Sequence, residues 1–149
     1  MWTDAILAYL HFMAIFGLFV LLAKELMLFK VGAANADIGA LAWTDGAFGM
    51  TAGIVLLTGA ARAVFGVKGW AFYEHNVVFH IKIGLFVLIA LISILPTVSI
   101  LRWRKSRRQD ASFRVADKEW NRARRIVLIE LHLLALLPLA AVIMARGLV

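Results

Sequence analysis

Six side chains that can ionise or bind a metal lie inside long apolar stretches of this sequence. They are His11, Glu25, His80, Lys82, Glu130 and His132. A charged side chain at the centre of a bilayer costs at least about 2.5 kcal/mol, so such residues mark ligand sites, proton relays or buried pairs. Histidine and carboxylate groups can each bind a metal or carry a proton. These six residues are therefore the first candidates for chemistry.

Two of the histidines, His11 and His80, are predicted to lie at one depth in the membrane. Counting about 1.5 Å per helical residue places each ring roughly 6 to 12 Å below the outer surface. Neutral imidazoles on two helices at one depth can occupy both axial positions of a haem b inside a bundle. We therefore predict His11 and His80 as ligands of a haem iron. The alternative is that each ring hydrogen-bonds a neighbouring helix, or that His80 lies among the headgroups.

A haem at this level needs cations for its propionates. Arg62, Lys68 and the long side chain of Lys82 are the cations predicted near the outer interface. Because the chain has no cysteine, covalent c-type haem attachment, thiolate metal sites and iron–sulfur ligation are excluded. Residues two apart point to nearly opposite sides of a helix, so His80 and Lys82 cannot both face one interior. One is expected to line the pocket, while the other reaches the surface or a second subunit.

Glu25 and Glu130 are predicted at similar depths near the inner side of the membrane. Glu25 follows His11 by fourteen positions and therefore lies nearly on the same helix face. The two acids can form a polar cluster with Lys24 or pass protons, and the simpler alternative is an ion pair. His132 is two residues after Glu130 and points away from it, which makes it a weak ligand candidate.

Four apolar segments carry these residues and are long enough to be membrane helices. They are residues 5–28, 43–64, 76–101 and 126–145. Each has close to the roughly 20 residues with which a helix crosses about 30 Å of hydrocarbon. Barrel strands would be shorter and would alternate polar and apolar residues. Residues 1–149 are therefore predicted to form one transmembrane domain, an all-α, antiparallel four-helix bundle.

Composition and charge predict how this bundle sits in the membrane. With 149 residues, 63% of them hydrophobic, the chain is too apolar for a soluble core of this size. Most of the net charge of +7 falls in a predicted loop, residues 102–125. Basic loops stay in the cytoplasm, so we predict periplasmic termini, a multi-pass position in a bacterial inner membrane, and contact with anionic lipid headgroups. No groove-reading module accompanies the charge, which argues against nucleic acid.

Two further patterns predict packing and interfaces. The second segment carries a face of small residues that would let a neighbouring helix approach closely: Gly46, Gly49 and Gly53. Aromatic residues near the ends of the segments are predicted to form a belt at the two membrane surfaces: Trp2, Trp70, Tyr73, Trp103 and Trp120.

Several short motifs resemble the HemJ-type protoporphyrinogen IX oxidases. They are Leu10-His11-Phe12, Thr58-Gly59, the run from Phe79 to Leu85, and the fourth-helix residue Glu130. The resemblance implies a membrane protein that binds haem b and acts on a porphyrinogen. It implies His11 as a haem ligand, His80 and Lys82 as ligand or catalytic residues, and Glu130 as a catalytic residue. That family has Asn-Glu-x-Pro in helix four, where this chain reads Ile129-Glu130-Leu131-His132.

Over nearly its whole length, the chain also resembles an uncharacterised bacterial family of four-helix membrane proteins. The resemblance is carried by the stretch from Gly69 to Lys82, by Ser93 to Thr97, and by Met144 to Gly147. It implies the bundle and leaves the activity open.

Three functions remain open at this stage. The first is a haem b redox protein that oxidises a porphyrinogen and passes electrons to quinone or a respiratory partner. The second is a cofactor-free protein that stabilises a membrane complex through its glycine face and basic loop. The third is transport of a small solute or metal ion along His11, Glu25 and Glu130, which requires a homo-oligomer because four helices leave a narrow route.

Overall fold

The regular structure of this chain is helical throughout the part that the computed structural model describes, residues 2–66 and 69–146. The elements are α1 (Trp2–Lys30), a 3₁₀ turn (Ala33–Asn35), α2 (Ile38–Phe65), the short α3 (Trp70–Glu74), α4 (Val77–Gln109) and α5 (Asp117–Arg146). The four long helices are each long and apolar enough to cross a membrane. The prediction of an all-α protein with four helices able to cross a membrane is confirmed.

The helices are longer than the apolar segments that predicted them. α4 continues to Gln109 and α5 begins at Asp117, so only residues 110–116 separate them. Most of residues 102–125, predicted as a loop, is therefore helical. Lysine and arginine are good helix formers, and the apolar signal ends where side chains leave the lipid rather than where the helix ends. We call the parts of α4 and α5 that continue past the apolar segments, residues 102–109 and 117–125, the two extensions. The end of the molecule that carries them is the basic end, and the opposite end is the α3 end.

The connection between α4 and α5 is a hydrogen-bonded turn. The backbone N–H and the hydroxyl of Ser112 donate to Asp110 Oδ1, at 2.8 and 2.6 Å. These two hydrogen bonds lower the pKa of the exposed Asp110 carboxyl, because they favour its charged form. Arg107 donates to the carbonyl of Phe113, and Val115 is buried. A short turn with internal partners thus joins the two extensions.

Side-chain caps set the starts of α2 and α4. Asp37 and Asn76 each accept a hydrogen bond from the backbone N–H three residues further on, at 2.8 and 3.0 Å. A carboxylate or amide oxygen in this position satisfies one of the backbone donors that a helix leaves free at its first turn. Gly32 and Gly69, with φ of 80° and 68°, precede the 3₁₀ turn and α3. These conformations are strained for residues with a Cβ, so glycine suits both turns.

The four long helices bury one apolar interior and present apolar side chains outward. α1 packs along α2 and α4 along α5, while contacts between α1 and α5 and between α2 and α4 join the two pairs. The most buried apolar residues include Leu18, Leu22, Leu41, Phe48, Ile89, Ile100, Val127 and Leu134. Outward residues such as Phe16 and Leu57 are 64% and 72% exposed. A helix that is apolar on all sides is typical of a membrane span.

At the basic end, three aromatic rings close the interior. Trp103 and Trp120 are stacked with their ring centroids 5.8 Å apart, and the Phe29 ring lies 4.7 Å from that of Trp120. Trp120 Nε1 donates to the Phe29 carbonyl oxygen at 3.0 Å, and Trp103 Nε1 donates to Glu119 Oε2 at 3.0 Å. An indole that has an acceptor for its N–H can be buried. We call Phe29, Trp103 and Trp120 the aromatic plug.

The plug corrects one prediction. Trp103 and Trp120 are only 1% and 2% exposed, so neither belongs to an interfacial belt. Because α4 and α5 extend past the apolar segments, these rings face each other across the extensions instead of facing lipid headgroups.

The predicted glycine face of α2 is not a packing face within the chain. An added Cβ at Gly46, Gly49 or Gly53 would have no described heavy atom within 4 Å. The close approaches between α1 and α2 occur elsewhere. A Cβ at Gly17 would lie 3.3 Å from Thr51 Cγ2, and one at Gly59 would lie 3.1 Å from His11 Cε1. The spacing of glycines identified a face, but it could not show which neighbour that face meets.

Replacing Trp120 with phenylalanine should lower the free energy of unfolding by about 1 kcal/mol, because it removes the hydrogen bond to the Phe29 carbonyl and keeps most of the ring contact. Trp120→Ala should cost about 3 to 5 kcal/mol, since it also removes the volume of the ring. Thermal unfolding in detergent, followed by circular dichroism, measures both. Trp2→Phe is the control. Because Trp2 is 84% exposed, this variant should have the Tm of the wild type. A wild-type Tm for Trp120→Ala would contradict a structural role of the plug.

Candidate functional site

Near the α3 end, His11 on α1 is held against α2 by a hydrogen bond. Its Nδ1 lies 2.9 Å from Thr58 Oγ1. The Thr58 hydroxyl donates its own proton to the Ile54 carbonyl at 2.7 Å, so its oxygen accepts from His11 Nδ1–H. In the neutral ring the proton therefore sits on Nδ1, and Nε2 keeps a free lone pair. The imidazole lies against Gly59, which has no side chain to displace it.

Two predicted cations gather around this histidine. Arg62 and Lys82 both lie close enough to His11 to act on it electrostatically. The Arg62 guanidinium stands 5.6 Å from the centroid of the Phe12 ring, within the range of a cation–π contact. Its Nε is buried and has no hydrogen-bond partner within residues 2–66 and 69–146. The third predicted cation, Lys68, lies outside the described residues.

His80 does not join this group. It is exposed, and its Nδ1–H donates to the Asn76 carbonyl of its own helix at 2.9 Å. Lys82 is half-buried and interacts electrostatically with Arg62. The two residues therefore point to opposite sides of α4, as their spacing predicted, with Lys82 inward and His80 outward.

The structure does not bring His11 and His80 to a common cavity, because His80 is exposed and bonds to its own helix. A cavity among the described residues inside the bundle has a volume of about 150 Å³, and its lining includes Leu18, Phe48, Phe86, Ile89 and Leu134. This volume is below the roughly 300 to 1,000 Å³ of typical ligand pockets. Neither histidine lines the cavity.

Between this cavity and the basic end, three carboxyl groups from three helices are buried. Glu25 on α1, Asp45 on α2 and Glu130 on α5 are 1%, 6% and 1% exposed. α4 contributes Thr97, whose Oγ1 donates to Asp45 Oδ1 at 2.7 Å. We call Glu25, Asp45, Glu130 and Thr97 the carboxyl cluster. All four long helices thus contribute one polar side chain to it.

The carboxyl cluster is incompletely paired. Glu25 Oε1 and Glu130 Oε1 are buried and have no hydrogen-bond partner in the described part of the chain. Asp45 and Glu130 both act electrostatically on Glu25. The ion pair considered for Lys24 and Glu25 is not formed, because Lys24 Nζ lies over the Trp43 ring, 4.7 Å from its centroid.

Sequence reasoning found two members of this cluster and missed two. Asp45 was missed because it lies at the start of the apolar segment 43–64, where an acid is expected to reach the interface. α2 in fact begins at Ile38, which places Asp45 two turns inside the helix. The cap residue Asp37 was the signal that could have shown this earlier start. Thr97 carried no signal, since threonines in apolar helices commonly bond to their own backbone.

The remaining predicted ligand stands apart from the cluster. His132 is exposed, and its Nδ1–H donates to the Leu128 carbonyl at 2.7 Å. It points away from Glu130, as its spacing predicted. Within the described ranges, no three or more His, Asp or Glu side chains are placed to hold a metal ion.

The surroundings of the carboxyl cluster differ on its two sides. Phe48 and Leu134 lie one helical turn from Asp45 and Glu130, and both line the 150 Å³ cavity. On the other side, Phe29 follows Glu25 by one turn and belongs to the aromatic plug. The cluster thus has a cavity toward the α3 end and a closed aromatic layer toward the basic end.

The chain belongs to a family described as predicted membrane proteins, DUF2214, whose model matches residues 3–149. This match confirms the expected relation to an uncharacterised membrane family. No curated protein and no solved structure matches the chain. The resemblance to HemJ-type oxidases is not shown by these comparisons.

A pair of alanine variants tests the contact between His11 and α2. Gly53→Ala should raise stability by about 1 kcal/mol, because alanine is the better helix former and open space surrounds the new methyl group. Gly59→Ala gains the same helix propensity, but its Cβ would lie 3.1 Å from His11 Cε1 and displace the imidazole ring. We expect it to be less stable than Gly53→Ala by roughly 1 kcal/mol, measured by thermal unfolding. Equal Tm values for the two variants would contradict the contact.

Proposed function

We propose that this protein takes up and releases protons at its carboxyl cluster and so couples proton movement to a process in the membrane. The observation that carries the proposal is the burial of Glu25, Asp45 and Glu130, from three different helices, with two carboxyl oxygens left without a partner. Ionisable residues inside membrane bundles mark ion and proton pathways. The proposal develops the transport hypothesis that the sequence left open.

Charge compensation favours protons as the species handled by the cluster. Three neighbouring carboxylates in an apolar interior repel one another and lose their hydration. In the part of the chain that the structure describes, the cluster forms no ion pair with lysine or arginine and no metal-binding group. A proton that binds a carboxylate neutralises its charge and requires no other coordinating group. A carboxyl group that gains or loses a proton changes the charge of the whole cluster.

The members of the cluster have different roles in this proposal. Thr97 donates to Asp45 Oδ1 and thereby fixes the orientation of that carboxyl group. Glu25 and Glu130 have free oxygens and can exchange a proton with Asp45 by rotation of their side chains. The aromatic plug prevents direct access from the basic end, so exchange on that side requires the Phe29 ring to move.

We place the basic end in the cytoplasm. The Lys and Arg residues of segment 102–125 support this orientation, because basic segments next to membrane helices remain on the cytoplasmic side. The four long helices are then antiparallel, both termini are periplasmic, and the protein spans a bacterial inner membrane. The carboxyl cluster lies in the cytoplasmic half of the bundle, and His11 lies in the periplasmic half.

A haem b redox protein is the second candidate, and one observation favours it. The Nδ1–H groups of His11 and His80 both donate to oxygen acceptors, which leaves both Nε2 atoms free, as in iron-ligating histidines. Because His80 points outward, a haem held by both residues would have to lie between two copies of the chain. Under this candidate the substrate is a porphyrinogen, the electron acceptor is a quinone, and His80, Lys82 and Glu130 are the predicted catalytic residues.

Proton flux into liposomes tests the first candidate. The purified protein is reconstituted with an entrapped pH-sensitive dye, a pH gradient is imposed, and valinomycin with potassium removes the membrane potential. We expect flux above that of protein-free liposomes, and a loss of at least about tenfold in Glu25→Gln and Glu130→Gln, since each variant removes a proton-exchanging group. Glu74→Gln is the matched control, because Glu74 is exposed on α3. Wild-type flux at the protein-free level, or equal flux in all variants, would overturn the proposal.

Absorbance spectroscopy tests the second candidate separately. Protein expressed with sufficient haem should show b-type Soret and alpha bands in the reduced-minus-oxidised spectrum, and His11→Ala should remove them. His75→Ala should keep the bands, because His75 is exposed near the start of α4. A wild-type protein without these bands would end the haem candidate and leave the proton proposal unaffected.

A further inference from the structure

Three arginines of α4 line a cleft at the basic end, opposite the first turn of α2. The cleft has a volume of about 300 Å³, and its lining residues are Ile38, Gly39, Arg104, Arg107 and Arg108. This volume reaches the lower limit of typical ligand sites, about 300 Å³. Neither the carboxyl cluster nor the aromatic plug contributes to the cleft, so it is separate from the site described above.

The arginines of the cleft share one helix face and form no salt bridge within the described residues. Arg104, Arg107 and Arg108 have the i, i+3, i+4 spacing that places side chains side by side, where like charges repel. Within the described ranges, none of them forms a salt bridge, whereas Arg102 is paired with Glu119 at 3.1 Å. Arg104 and Arg108 therefore leave two neighbouring guanidinium groups for an anion, whereas Arg107 donates to the Phe113 carbonyl and acts electrostatically on Asp110.

The opposite wall of the cleft is the start of α2, where the Asp37 carboxylate caps the helix. α2 is a helix of 28 residues, and the start of a long helix carries partial positive charge and free backbone N–H groups. The cap residue Asp37 uses its Oδ1 to accept from the Ala40 amide. At Gly39, an added Cβ would meet only Asp37 Oδ1, at 3.4 Å, so the backbone is otherwise open there.

We propose that this cleft binds a phosphate group. Guanidinium groups bind phosphate through paired hydrogen bonds, and Arg104 and Arg108 present two of them from adjacent turns. They lie roughly 5 to 10 Å beyond Leu101, the last residue of the apolar segment, which is the depth of lipid headgroups. The phosphate therefore belongs either to an anionic phospholipid or to a free phosphate compound. The proposal does not depend on proton exchange at the carboxyl cluster.

Two double variants with equal loss of charge test the proposal. R104Q/R108Q removes two cleft arginines, and R122Q/R125Q removes two exposed arginines of α5 that do not line the cleft. Phospholipid retained by the detergent-purified protein is measured by native mass spectrometry after incubation with phosphatidylglycerol or phosphatidylcholine. We expect phosphatidylglycerol to bind wild type and R122Q/R125Q alike, and R104Q/R108Q at least about tenfold more weakly.

A second titration distinguishes the two sources of phosphate. Inorganic phosphate is added at constant ionic strength, and the Tm is recorded. A headgroup site is supported if phosphatidylglycerol binds and inorganic phosphate does not raise the Tm. A site for a free phosphate compound is supported if inorganic phosphate raises the Tm of wild type but not of R104Q/R108Q.

Several results would overturn the proposal. Equal losses in the two double variants would show general charge attraction, and no binding of either probe to the wild type would exclude a site. If R104Q/R108Q fails to fold, R104K/R108K replaces it, since lysine keeps the charge and loses the paired hydrogen bonds. Phosphatidylglycerol binding by R104K/R108K at the wild-type level would then contradict recognition by guanidinium groups.

Discussion

A carboxyl group on a membrane helix costs free energy wherever it faces lipid, so it must lie inside the bundle. Glu25, Asp45 and Glu130 meet this constraint together, each brought from a different helix to one interior level. Rotating α1, α2 or α5 outward would expose a carboxyl group to lipid. The carboxyl cluster therefore sets the rotation of three helices, and the hydrogen bond from Thr97 to Asp45 adds the fourth.

The aromatic plug protects this arrangement at the basic end. The hydrogen bond from Trp120 Nε1 to the Phe29 carbonyl joins α5 to α1, and the stacked ring of Trp103 adds α4. Because these rings lie beyond the apolar segments, the interior stays closed to water where lipid no longer covers it. The extensions that carry the rings also carry the arginines of the phosphate cleft. One structural feature, the continuation of α4 and α5 past the lipid, thus supports both proposed sites.

The two ends of the bundle contrast in charge and in pairing. Near the α3 end, Arg62 and Lys82 surround a histidine whose tautomer is set by Thr58. Near the basic end, the buried groups are acids. The polar side chains held inside the bundle are thus carboxyl groups in one half and a histidine with two neighbouring cations in the other.

The sequence alone determined the class of this protein, because the length and apolarity of a segment are properties of its own residues. Composition and helical spacing predict four helices able to cross a membrane, Glu25 and Glu130 at similar depths, and opposite directions for His80 and Lys82. Only the tertiary structure decided which side chains meet. It brought Asp45 to the two glutamates, buried Trp103 and Trp120, and left His80 outside. Those outcomes depend on how each helix is rotated and on which helices it contacts. A segment that is apolar on all sides carries no signal for either property.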